Sequence, residues 1–170
     1  VQAREGLRRK LPLVVGEGYM DVIAIQRSGT AAAVAPLGTA LTEEQIALLW
    51  KLHDEPILCF DGDAAGQRAQ MRALERILPL LTPGKSARLA VMPEGKDPDD
   101  VLRETGNDGF LKLLAVARSL VDSLWDALVG QHDLRQPESR ARFWQEIRGQ
   151  VRLIGNNQVR SAYGDEIESR

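Results

Sequence analysis

Seven carboxylates in three short turns are the residues of this sequence best suited to chemistry. Glu17 and Asp21 stand four apart, Asp61 and Asp63 flank Gly62, and Asp97, Asp99 and Asp100 gather around Pro98. Carboxylates this close repel one another unless a cation, a proton or a partner neutralises them. A donor set of oxygens, with no His or thiolate, selects hard cations, Mg²⁺ above all, or Mn²⁺. Clusters of this kind hold one metal, or two about 3.5–4 Å apart, that activate an attacking oxygen and stabilise a leaving phosphate. A plainer reading stands beside this one. Asp and Gly are common turn residues, and Asp63 and Asp97 each precede a helical pattern that they could cap.

Four apolar runs must position these turns. Ile57-Leu58-Cys59-Phe60 is a continuous buried-strand pattern that ends at Asp61-Gly62-Asp63. Leu13-Val14-Val15 ends at the Glu17 turn, and Arg88 to Met92 ends at the Asp97 turn. Ala31 to Ala35 is a fourth run, rich in small residues. Helical patterns separate them. One runs from Val22 to Arg27 and stops at Ser28-Gly29, and one starts at the capping box Thr42-Glu43-Glu44-Gln45 and reaches about Leu52. In the latter, Leu48, Leu49 and Leu52 are expected to face inward, with Trp50 packing against a partner. A third carries Met71, Leu74, Ile77, Leu78 and Leu81 on one face and Arg68, Arg72 and Arg76 on the other, with Pro79 ending or kinking it. Strand and helix alternating four times predict an α/β fold, a mostly parallel four-stranded sheet flanked by helices. Three of the four strands end beside acidic residues, and ligands in such sheets collect at the carboxyl ends of strands.

The pattern changes near residue 106. Three helical stretches follow, Phe110 to Val129, Pro137 to about Ile154, and a third from near Asn157 to Arg170. They predict a small all-α subdomain over 106–170, with Trp125, Phe143 and Trp144 as its core rather than a base-stacking platform. Residues 1–10 form a basic leader with Arg4, Arg8, Arg9 and Lys10.

Composition removes several classes. With 44% hydrophobic and 27% charged residues, the 170-residue chain reads as globular, and no apolar run approaches the roughly 20 residues of a membrane span. Its 22 basic and 24 acidic residues give no global attraction to nucleic acid, so such a partner needs a local patch or a metal. The single cysteine, Cys59, lies in an apolar strand and reads as a buried reduced thiol, which fits a reducing compartment. His53 and His132 lack zinc-spaced companions and are expected at the surface. There is no phosphate-binding glycine loop with lysine, and no histidine suited to a Ser-His-Asp or Cys-His site. The first residues show neither a signal peptide nor an initiator methionine, so the chain is expected to be part of a longer one.

Four motifs taken together carry a family resemblance. Glu-Gly-Tyr-Met-Asp at 17–21, Leu-Gly-Thr-Ala-Leu-Thr at 37–42, Asp-Gly-Asp-Ala-Ala-Gly at 61–66 and Asp-Pro-Asp-Asp at 97–100 resemble bacterial DnaG-type DNA primase. The similarity is to its TOPRIM domain, the metal-binding fold shared with type IA and type II topoisomerases, over residues 11–105. Val159-Arg160-Ser161-Ala162-Tyr163 in the helical tail is similar as well, whereas Pro36 stands where a small residue such as serine is expected. The resemblance implies a TOPRIM domain at 11–105 followed by a helical part of the RNA polymerase domain at 106–170. It implies that Glu17 is a general acid/base or metal-site member, that Asp61 and Asp63 ligate Mg²⁺ (or Mn²⁺), that Asp97 and Asp99 help hold metal, and that Asp21 is a weaker member of the metal site at its rim. Arg68 and Arg72 are candidates for phosphate or template contact, with solvated surface residues the equal alternative; Arg9 and Lys10 are candidates for a DNA-facing surface, with solvated charges the commoner explanation of such a leader. The implied activity is synthesis of RNA primers on a single-stranded DNA template from NTPs, in the bacterial cytoplasm. Zinc and the replicative helicase would engage domains with no counterpart in this sequence.

Two other readings compete. An Asp-x-Asp phosphatase would place its acidic pair after the first strand, whereas here a Glu-bearing strand precedes it. A non-catalytic TOPRIM clamp, as in RecR-like recombination mediators, would bring a zinc cysteine cluster that this sequence lacks.

Overall fold

The computed structural model describes residues 2–36 and 41–170. Of the motif at 37–42, Leu37 to Ala40 lie outside the described residues.

The short apolar runs form strands β1 (Leu13–Val15), β2 (Ala32–Val34), β3 (Ile57–Phe60) and β4 (Arg88–Val91). They pair in parallel in the order β2-β1-β3-β4, with Val14 opposite Ile57 and Leu58 opposite Leu89. Parallel neighbours need crossover connections, and helices α2 (Tyr19–Ser28), α3 (Glu43–Leu52) and α4 (Ala64–Ile77) supply them. Because side chains alternate along a strand, the sheet divides its apolar residues between two layers. Leu13, Val15, Leu58, Phe60 and Leu89 meet Ile46 and Leu49 of α3 and Ala73, Leu74 and Ile77 of α4. On the other face Val14, Ile57, Cys59 and Ala90 meet Ile25 of α2 and Val101, Phe110 and Leu114 of α5 (Pro98–Ala115).

The fold departs from the sequence expectation in several places. The sheet has five strands rather than four. Arg118–Ser119 forms β5, antiparallel to β4. The stretch expected as one helix from Phe110 to Val129 breaks there because the Arg88 guanidinium takes the carbonyls of Ala115 and Ala117. Ser119 then caps a new helix, α6 (Leu120–Val129), by accepting the Asp122 amide at 3.1 Å. At the 105–106 position, Gly106 takes φ 67° and divides α5 into two helical segments, a backbone state that glycine tolerates without strain. In α3 only Ile46 and Leu49 turn inward, while Leu48 and Leu52 are exposed. Trp50 instead donates its indole N–H to the Ser86 carbonyl at 2.7 Å. The basic leader is helix α1 (Gln2–Arg8), laid against β2. Pro79 stops α4 as expected, leaving a 3₁₀ turn over Leu78–Leu80.

The tail continues with α7 (Pro137–Arg152) and α8 (Asn157–Glu168), the latter ending at Ser169 rather than running to the last residue. Trp125 packs edge-on against Phe143 at 5.1 Å and Trp144 at 6.0 Å, with Phe143 fully buried in the core and the two tryptophans half-buried against it. His132 is a correction. Its side chain is 7% exposed and pairs with Glu146 at 2.9 Å beside Phe143, so it is a satisfied interior histidine rather than a surface one. Leu120, Leu124, Phe143, Ile147 and Ile167 belong to the same core as Leu74 and Ile77 of α4. Among the described residues no helix is long and apolar enough to cross a membrane.

Candidate metal centre at the carboxyl edge of the sheet

Because β1, β3 and β4 run in parallel, the turns that follow them all emerge at one edge of the sheet. Glu17 follows β1, Asp61 and Asp63 follow β3, and Asp97 and Asp99 follow β4 at the start of α5. The crossover that reverses direction between β1 and β3 makes this edge a topological switch point, where crevices open in such sheets. A cavity of about 260 Å³ opens here, with Glu17, Leu41, Phe60 and Arg72 among its lining.

Each carboxylate is fixed by its own local structure. Glu17 Oε1 accepts the Asp61 backbone N–H at 3.1 Å, tying the first acidic turn to the second across 44 residues of sequence. Asp63 caps α4 by accepting the Gly66 amide on Oδ1 at 2.7 Å. Asp97 caps α5 by accepting the Asp100 amide at 2.8 Å, with Pro98 at the first helical position. The capping and site readings of Asp63 and Asp97 are therefore compatible, since capping uses one oxygen of each. Asp21 accepts the Gly18 amide at 3.0 Å and is 7% exposed, so it lies beneath the edge and not at its rim. Asp99 is half exposed and reaches Arg103 at 3.5 Å.

Burial and neighbouring charge act on two of these groups, Asp61 and Asp21. Burial, then the charges of Glu17, Asp21, Asp97 and Asp63, push the Asp61 carboxyl up to about 6 from 3.8. Burial also raises the Asp21 carboxyl, the Gly18 amide opposes it, and Asp97, Glu17 and Asp99 raise it further. Asp61 Oδ1 is buried without a hydrogen-bond partner. A buried carboxylate oxygen with no donor is costly, and a cation is the natural partner for it. The residues fit a hard cation in donor chemistry. As they stand, however, no three Asp, Glu, His or Cys side chains among the described residues are gathered tightly enough to ligate one ion.

One feature of this edge escapes sequence reasoning. Gly62 donates its N–H to the Lys96 carbonyl at 3.0 Å and accepts from the Gly95 N–H at 2.9 Å, so the second and third acidic turns are bonded backbone to backbone. The only signal in the sequence is a glycine between the two aspartates. Cys59, by contrast, is as expected, a buried thiol pushed up to about 12 by burial first and by Asp21 second.

Of the basic candidates, Arg72 is exposed on α4 and borders the cavity with Glu17, and Arg68 is exposed one turn earlier. Arg9 and Lys10 precede β1 and so sit at the opposite edge of the sheet, where Arg9 borders a depression with Gln26, Arg27 and Ala32. The structure does not bring them to the acids.

A five-stranded sheet with acidic turns after β1, β3 and β4 defines a class. The chain belongs to the Toprim-like family, which it matches over residues 14–102. DNA primase of Escherichia coli K12 is 43% identical to it over 130 residues, 76% of this chain and 22% of that protein. A crystal structure of a DNA primase domain from Pseudomonas aeruginosa superposes with a TM-score of 0.89 at 37% identity, covering 98% of this chain and 52% of that one. A DnaG primase catalytic domain bound to single-stranded DNA gives 0.85 at 33% identity, covering all of this chain and 58% of that one. Within the Toprim-like family, the similarity is thus to bacterial DnaG-type primase and to its catalytic core. The chain spans about a fifth of the length of the curated primases it matches.

Proposed function

We propose that this chain carries the nucleotidyl-transfer site of a bacterial DNA primase, built on Glu17, Asp61 and Asp63, and that the full protein makes RNA primers on single-stranded DNA from NTPs. The observation that carries the reading is the buried, unpartnered Asp61 Oδ1 beside four other carboxylates, on a fold shared with primase catalytic cores. Asp61 and Asp63, with Glu17 and with Asp97 and Asp99 across the turn, would hold Mg²⁺ or Mn²⁺, and Asp21 supports them from beneath. When bound, such an ion supplies charge neutralisation for attack of a hydroxyl on an α-phosphate.

The protein's own part is positional. Glu17 holds the β3–α4 turn through the Asp61 amide, so the two strand ends keep their spacing. Asp63 and Asp97 each spend one oxygen on a helix amide, which leaves the second for a ligand. Asp61, held near pH 6, can also carry a proton at neutral pH more readily than an ordinary carboxyl. Arg72 and Arg68 offer guanidinium groups to phosphate, and the bidentate geometry of arginine suits that role. Template, NTP and primer are the expected ligands, with helicase and zinc contacts contributed by sequence beyond residues 1–170 and a cytoplasmic setting.

The decisive measurement is Mn²⁺ binding followed by electron paramagnetic resonance. Wild-type chain is expected to bind Mn²⁺, and Asp61→Asn combined with Asp63→Asn to lose that affinity by tenfold or more. Equal affinity in the two proteins overturns the assignment. The chain by itself is expected to make little or no primer, and robust template-directed RNA synthesis by it would refute that.

A further inference from the structure

We infer that Gly62 is a positioning residue that couples the Asp61–Asp63 turn to the Asp97–Asp99 turn, so that one divalent cation site depends on both. This rests on the metal-binding reading proposed above. The parallel β3–β4 ladder continues past its strands, with Met92 N–H donating to Phe60 at 2.9 Å, and then passes into the acidic turns. There Gly62 bonds to the β4–α5 turn twice, giving its N–H to the Lys96 carbonyl at 3.0 Å and taking the Gly95 N–H at 2.9 Å. Lys96 N–H returns to Pro93 at 3.0 Å, closing the β4–α5 turn on itself. Asp97 follows immediately and caps α5, so whatever displaces Lys96 displaces the third acidic limb.

Only glycine permits this approach. A Cβ on Gly62 would stand 1.9 Å from the Pro93 carbonyl oxygen and 2.6 Å from that of Met92, both backbone atoms held by the turn and the ladder. Real Cβ atoms essentially never come nearer than 3.0 Å, so a methyl group forces the turns apart by about 1 Å. Mg²⁺ holds its oxygens at 2.0–2.1 Å with near-octahedral geometry, a tolerance far smaller than that displacement. Residues that fix ligands in place in this way typically affect metal affinity by about 10–100-fold.

The test has three parts. In Mn²⁺ titrations read by electron paramagnetic resonance, Gly62→Ala is expected to weaken binding by roughly 10–100-fold. In a background of Asp97→Asn with Asp99→Asn, the same Gly62→Ala is expected to cost no further affinity, because the limb it positions no longer contributes. A purely structural role would lower affinity equally in both backgrounds. Should Gly62→Ala fail to fold, hydrogen exchange of the wild-type amides decides: Mg²⁺ is expected to slow exchange at Gly62 and Gly95 together. Unchanged affinity in a folded Gly62→Ala protein, equal losses in the two backgrounds, or amides indifferent to Mg²⁺ overturn the coupling. A wild-type chain that binds no Mn²⁺ overturns the metal-binding reading itself, and the coupling with it.

Discussion

Neutralising Asp61 should stabilise the metal-free protein. A carboxyl held at about 6 rather than 3.8 costs roughly 3 kcal/mol when ionised, at 1.36 kcal/mol per tenfold change in its proton equilibrium. The side chain is only half-buried, and solvent screening brings that figure to about 1.5 kcal/mol. Spread over the unfolding entropy of 170 residues, this amounts to a rise of about 4 °C in Tm for Asp61→Asn at pH 7.5. Asparagine keeps the backbone N–H that Glu17 binds and nearly the same volume, so little else changes.

The pH dependence follows from the direction of the shift. The folded protein holds the Asp61 proton more tightly than the unfolded chain, so this group's stabilising effect is complete below about pH 4. It is lost as pH rises to about 6, and asparagine does not lose it. Differential scanning calorimetry in EDTA should therefore show wild type and variant converging toward pH 4.5 and diverging by pH 7.5. Saturating Mg²⁺ should raise the wild-type Tm and leave the variant nearly unmoved. A variant no more stable than wild type at pH 7.5, or a difference independent of pH, refutes the reasoning.

Other outcomes follow from single contacts. Glu17→Ala leaves the Asp61 amide without its acceptor and should cost about 1 kcal/mol in urea titrations, with faster exchange at that amide; Glu17→Gln keeps the acceptor and should cost less. Phe143→Ala empties a fully buried site and should cost about 3–5 kcal/mol, with circular dichroism and tryptophan fluorescence reporting one coincident transition. Ser119→Ala removes the cap of α6 and should cost about 1 kcal/mol. The Cys59 thiol, buried and pushed up to about 12, should react with a disulfide reagent only at the rate of global unfolding.

Much of this architecture was legible because the signals were local. A capping box at Thr42 and Gln45 needs only four residues, and both of its hydrogen bonds form. The apolar runs of β1, β3 and β4 end beside acids within a few positions, so their convergence needed only the assumption of parallel pairing. What was illegible depends on distant partners. β5 exists because Arg88, nearly thirty residues earlier, claims the carbonyls that would have continued a helix. His132 is interior because α7 brings Glu146 to it, and nothing adjacent to it in sequence announces that. Leu48 and Leu52 look apolar and inward on a helical wheel, but Ile46 and Leu49 set the face of α3 that meets the sheet. The family resemblance implied Asp21 at the rim, whereas its bond to the Gly18 amide holds it beneath.

The core shared between α4 and the last three helices bears on where this molecule can be cut. Residues 14–102 match the Toprim-like family as a contiguous block, which invites expression of that block alone. Leu74, Ile77, Leu78 and Leu81 share one core with Leu120, Leu124, Phe143 and Ile147 of the last helices as well as with the sheet, so that cut removes part of what buries them. The same cut removes β5 and leaves β4 as a bare sheet edge, ready to pair with another copy. A shortened protein ending near residue 105 would lose part of this shared core and is expected to aggregate, which analytical ultracentrifugation would detect.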